Sequence, residues 1–157
     1  FACHNIDGKG LDVGAQKMAP PLVNSEFVLG DPSLMSLIVL KGVKPEPAKK
    51  WVGIMAPLES VLDDKSLAAV LTYVRNSFGN KASPVSEAQV KEARAKYSKI
   101  TASVSRSTLD KLLAKHKAEA EEGGGDDAEK EDAAANDKKP AAATQTEAGT
   151  DAPAATE

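Results

Sequence analysis

Aromatic residues are scarce in this sequence, at 4% of 157 residues, and cysteine occurs once, as Cys3. A single cysteine excludes an internal disulfide framework and a zinc site built from several thiolates. Long apolar runs are missing. The longest strongly apolar stretch, Leu37-Ile38-Val39-Leu40, falls far short of a membrane span. Neither sign of charge dominates. Residues 1–97 carry 12 Lys and Arg against 10 Asp and Glu, and residues 98–157 carry 8 against 13. Neither part has the basic excess of a nucleic-acid footprint, so no nucleic acid is expected as a partner. After Leu113 there is no Val, Ile, Leu, Met, Phe, Trp or Tyr at all. Residues 123–157, rich in Ala, Asp, Glu and Lys, cannot bury enough apolar surface to offset their ordering entropy and are expected to be a disordered tail.

What is present reads as short helices separated by turns. Residues 3–16 suggest a short helix running into a glycine-rich loop, with Gly8, Gly10 and Gly14 as breakers. Ala19-Pro20-Pro21-Leu22 is extended, because each proline fixes its own φ and biases its predecessor away from helix. A short helix over 24–29 ends at Gly30. Asp31-Pro32 then supplies an N-cap and a proline at the first helical position, and Gly42 a stop. Residues 43–62 read as loop. Asp63 caps the strongest helix, with Leu67, Val70, Leu71, Val74 and Phe78 at helical spacing and Gly79-Asn80 at its end. Ser86 with Gln89 forms a capping box for another helix carrying Val90, Ala93 and Tyr97. A domain over 1–97 is followed by a linker over 98–122, with a candidate helix from Ser107 onward.

The chemistry-bearing residues cluster at the start. Cys3-His4 has the form of the downstream end of a C-x-x-C-H haem-attachment motif. With a cysteine ahead of Phe1 the string would become Cys-Phe-Ala-Cys-His. The chain is therefore expected to be a fragment that starts inside the motif. Two thiols on one turn can each add to a haem vinyl group, and the adjacent imidazole then faces the iron. A low-spin carrier needs a second ligand, for which a thioether is the usual choice. Of three methionines, Met18 lies too close to His4. Met35 sits inside a helix, where Met is more often core. Met55 stands in a loop just before the strongest helix. His116, the only other histidine, is expected to be a solvated helix residue.

These strings together resemble a class I c-type cytochrome. They are Cys3-His4 with Gly8-Lys9-Gly10, Ala19-Pro20-Pro21-Leu22, Gly53-Ile54-Met55-Ala56-Pro57-Leu58, the stretch from Leu62 through Asn80, and the segment from Val90 to Arg94. The likeness is to monohaem modules attached to, or serving as subunits of, bacterial periplasmic dehydrogenases, and it covers residues 1–97. It implies an all-α cytochrome c fold around one covalent haem c, without its N-terminal helix and first haem cysteine. It further implies a thioether at Cys3 and an iron held by His4 and Met55. The Pro20 carbonyl would hold the free imidazole N–H near Leu22, and Trp51 would sit beside a haem propionate.

On this reading the protein is an electron carrier and not an enzyme. Its partners are a dehydrogenase donor and an oxidase or cytochrome acceptor, and its location is periplasmic or otherwise extracytoplasmic. Lys9 and Lys17 are expected to meet an acidic partner. Leu22, Leu37, Ile54 and Val74 should line a flat slot between the axial ligands, and Tyr73 should be exposed where the absent helix would pack. The alternatives are a haem-free helical interaction module and a haem peroxidase-type enzyme. The second requires an open iron face, which Met55 would close.

Overall fold

In the computed structural model, which describes residues 2–45 and 51–122, the chain is a small, mostly helical domain. Five helices are described: α1 (Glu26–Leu29), α2 (Pro32–Lys41), α3 (Asp64–Arg75), α4 (Glu87–Lys96) and α5 (Arg106–Glu122). Four two-residue strands tie the loops together. β1 (Asp12–Val13) pairs antiparallel with β2 (Gln16–Lys17), and β3 (Val43–Lys44) pairs parallel with β4 (Val104–Ser105). The expected disordered tail, 123–157, lies outside the described residues.

The helix ends follow local chemistry. The Asp31 side chain accepts the Ser33 N–H at 2.6 Å, and Pro32 opens α2 where its missing donor costs nothing. Ser86 and Gln89 complete a reciprocal capping box on α4. Asp63 caps α3 through the Ser66 N–H.

α2 is the central rod. Seven of its ten residues are buried, which marks a helix covered on nearly every side. Met35, Val39 and Leu40 pack with Leu67, Ala68 and Leu71 of α3 and with Val85 and Val90. Leu34 and Leu37 pack with Phe27, Ala93, Tyr97, Val104 and Leu109. Each fully buried leucine contributes about 1.5–3 kcal/mol of transfer free energy. Met35 is thus a core residue, as expected.

Four expectations change. Residues 3–16 form turns and the β1–β2 hairpin, not a helix. Asn5, Gly8 and Gly10 all have positive φ, and the N–H groups of Gly10 and Leu11 bond back to His4 and Cys3, so no helical ladder can start. The helix around Asp63 ends at Arg75, short of Phe78. Residues 98–122 are not merely a linker: β4 and α5 pack on the same compact unit, with Leu109 in its core. His116 is accordingly not solvated. Its Nδ1 lies 2.6 Å from Asp31 Oδ2, and its side chain is 15% exposed.

Candidate functional site

Cys3 and His4 sit in a loop folded back on itself. The Gly10 N–H donates to the His4 carbonyl at 2.9 Å, and the Leu11 N–H to the Cys3 carbonyl at 3.0 Å. Gly10 is needed for that return. Its φ is +82°, and a Cβ there would stand 2.3 Å from the Ala19 carbonyl oxygen. The loop is thereby pressed onto the Ala19-Pro20-Pro21 segment. The Leu22 N–H closes the contact by donating to the Gly8 carbonyl at 2.7 Å.

That packing delivers the Pro20 carbonyl to the imidazole. His4 Nδ1 lies 3.1 Å from the Pro20 oxygen. A carbonyl can only accept, so Nδ1 must carry the hydrogen. Burial holds His4 below the ordinary imidazole range, outweighing the raising effect of the Pro20 bond. The ring is therefore neutral near pH 7, in the Nδ1–H tautomer, with its lone pair on Nε2. This is the protonation state of a metal-ligating histidine whose second nitrogen is fixed by a carbonyl. The Cys3 thiol beside it is free and half-buried.

Met55 is held by backbone ties along its whole loop. Upstream, the Val52 and Gly53 N–H groups donate to the carbonyls of Lys17 and Met18 at 3.0 and 2.9 Å, and Trp51 bridges Lys17 in parallel. Met55 itself forms an antiparallel bridge with Val43, with reciprocal bonds of 2.9 and 3.0 Å. Downstream, the Leu58 N–H donates to the Val39 carbonyl. Glu59 receives Lys41 Nζ at 2.7 Å. The half-buried Met55 side chain packs on the same core cluster as Leu22 and Val74. The β1–β2 hairpin, which directly follows the His4 loop, is thus the element that grips the Met55 loop.

Leu37, expected to line a slot between the two ligands, cannot do so. It is 0% exposed and belongs to the cluster on the other side of α2. Ile54 is 66% exposed. Two open surface hollows among the described residues lie elsewhere, one over Glu59–Asp64 with Arg94 and the other over Lys41, Pro57, Ser60 and Ser103. Lys9 and Lys17 are both partnered, by Asp7 at 3.9 Å and by Asp12 at 2.7 Å. Tyr73 is 59% exposed, in edge contact with Phe78.

Sequence reasoning missed two residues that hold this region. Asn80 accepts the Asn24 N–H and donates to the Leu22 and Val74 carbonyls, tying the Pro-Pro turn to the end of α3. Arg75 donates to the carbonyls of Val28, Gly30 and Ser83. Arg75 had a signal: it continues the Leu67, Leu71 spacing by one more helical step, which puts a charge on the buried stripe. The chain matches no protein-family model, and no curated protein matches it.

Proposed function

We propose that the domain binds one covalent haem c through Cys3, His4 and Met55 and serves as an electron carrier with extracytoplasmic redox partners. The observation that carries this reading is the His4–Pro20 bond. The resemblance implies a carbonyl at that position, and the bond gives the imidazole the tautomer an iron ligand needs.

The remaining residues fit the group. The apolar stripe of α3 has two parts. Leu67, Ala68 and Leu71 are packed, whereas Val70, 43% exposed, and Val74, half-buried, leave an apolar flank open. Val52 and Leu11 are also exposed. Uncovered aliphatic surface of this kind on a small domain suits a large flat apolar cofactor. Met55, on its tethered loop, would provide the thioether, and a low aromatic content matters less when a porphyrin completes the core. When bound, haem supplies the Fe(II)/Fe(III) couple. The chain's part is to orient the imidazole, keep it neutral, fix the methionine backbone and exclude water from the ligands. A cytochrome c fold, a periplasmic location and a dehydrogenase or oxidase partner belong to the same proposal.

The test is maturation of the chain in a periplasm equipped for haem attachment, with and without a cysteine placed ahead of Phe1. The expected product is coloured after denaturation, and its oxidised form has an Fe–S charge-transfer band. A colourless product with sharp tertiary NMR signals would overturn the proposal in favour of a haem-free helical module.

A further inference from the structure

The segment 104–122 lies beyond the part of the chain that carries the Cys, His and Met strings, yet it is joined by hydrogen bonds to the Met55 loop. The connection runs through Val43, which stands between an isolated bridge to Met55 and the β3–β4 pairing. On one side of Val43, Met55 exchanges both backbone bonds with it. On the other side Val104 pairs in parallel with Val43, and its N–H donates to the Gly42 carbonyl at 3.1 Å. Val104 is buried, and β4 runs without interruption into α5.

α5 is pinned to the body at several further points. Leu109 is buried. The Arg106 guanidinium stacks 4.6 Å above the Phe27 ring. His116 meets Asp31 at 2.6 Å, and Lys117 meets Glu26 at 2.6 Å. The register is consistent along the chain. Val43 and Asp31 bound α2, and their partners Val104 and His116 are the same number of residues apart in the opposite direction. At a helical rise of 1.5 Å per residue both spans are about 18 Å. α5 with its leader therefore runs antiparallel to α2 as a splint. It is fastened at the α2 N-cap by His116 and at the α2 C-terminus by Val104.

We propose that this splint sets how firmly the Met55 loop is held, so that release of α5 loosens Met55 through the Val104–Val43–Met55 ladder. The functional consequence rests on the haem reading above: a loosened Met55 would hold a haem iron less firmly, and whatever binds or displaces α5 would regulate the redox centre. Val104 is a positioning residue in this scheme, acting through Val43. The ladder can transmit the change because short two-residue pairings open locally at low cost, and the other ties of the loop, at Gly53 and Leu58, flank the Met55–Val43 pair without replacing it.

Amide hydrogen exchange on the full matured chain tests the coupling. Val104→Pro removes the donor to Gly42, whereas Val104→Ala keeps that donor and trims the side chain. The expected result is exchange at the Val43 and Met55 amides about tenfold faster in the Pro variant, the effect of one lost hydrogen bond. The Ala variant should stay near the parent rate. A second variant, His116→Ala with Lys117→Ala, releases the far end of the splint without touching a strand. It should speed exchange at α5 and at Met55 together, and it serves if the Pro variant fails to fold. Free imidazole should also displace Met55 at lower concentration in both variants. Unchanged Val43 and Met55 exchange, or equal acceleration by Ala and Pro, would overturn the proposal. The exchange readout needs no haem: coupling in a colourless chain would keep the splint and discard the haem assignment.

Discussion

Gly42→Ala is the most incisive single perturbation of the Met55 loop. Gly42 ends α2 with φ 70° and ψ 173°, a region that is essentially glycine-only and costs another residue about 1–3 kcal/mol. Space makes it worse. A Cβ there would stand 2.3 Å from the Met55 carbonyl oxygen, 2.7 Å from Pro57 N and 2.9 Å from the Ala56 carbonyl carbon. All three are backbone atoms, so no side-chain rotation relieves the clash. The loop must retreat, which breaks the Val43–Met55 pair, two hydrogen bonds of about 1 kcal/mol each. The expected loss is about 3–5 kcal/mol, a large fraction of the roughly 5–15 kcal/mol that holds a domain together. Gly14→Ala is the control. Gly14 also has a positive φ, of 61°, but nothing lies within 4 Å of a Cβ there, so it reports backbone strain alone, at about 1–2 kcal/mol. Urea unfolding of both variants gives the comparison. In the matured chain only Gly42→Ala should diminish the Fe–S charge-transfer band. Equal losses in the two variants would refute the claim that Gly42 exists to admit the Met55 backbone.

Three further outcomes are expected. Met55→Ala should keep haem attached and lose the Fe–S charge-transfer band; an intact band would remove Met55 from the site. Arg75→Met should cost at least about 3 kcal/mol in urea unfolding, because three backbone carbonyls lose a charged donor at once; a loss under about 1 kcal/mol would contradict the clamp. The Asp31 carboxyl is held below its ordinary range: burial alone would raise it, but Ser33 and His116 outweigh burial. A lowered folded-state pKa stabilises above the unfolded carboxylate value of about 3.9 and is lost as pH falls through the folded value. The stability advantage over Asp31→Asn should therefore shrink across that acid window, and a constant difference would rule the linkage out.

The elements that were legible in the sequence are those whose cause is local. Asp31-Pro32, Asp63 and the Ser86–Gln89 box each satisfy a helix terminus within a few residues, so four or five letters suffice to read them. The Pro20 carbonyl opposite His4 is not legible locally; it is what the family resemblance implies, and the two groups lie 3.1 Å apart. What escaped was non-local. Two-residue strands such as Val43–Lys44 and Val104–Ser105 are too short to leave a period, and their pairing spans some sixty residues of chain. The docking of α5 escaped for a related reason. Its apolar content is low, and part of its hold comes from Arg106 over Phe27 and from His116 on Asp31, which hydrophobic patterning does not register. Residues 3–16 misled in the opposite direction. The residue pattern suggests a short helix running from Cys3 into a glycine-rich loop, while the positive φ of Asn5, Gly8 and Gly10 favours a tight return.

On the proposed haem reading, the same non-local ties bear on how a loop could carry a ligand. Loops are usually the mobile part of a fold, and a redox ligand that shifted with each change of iron charge would slow electron exchange. Here the segment around Met55 is tied at nearly every turn. Met18 holds Gly53, Val43 holds Met55, and Val39 holds Leu58. Lys41, buried at the end of α2, holds Glu59. Arg94 of α4 donates to the carbonyls of Glu59 and Leu62 while paired with Asp64. These partners come from the hairpin region, from α2, from β3 and from α4, so the loop is held on both sides of the Val43–Met55 pair. Fixed dipoles of this kind cost little reorganisation when charge changes, which is the property an electron carrier needs from a chain poor in aromatic packing.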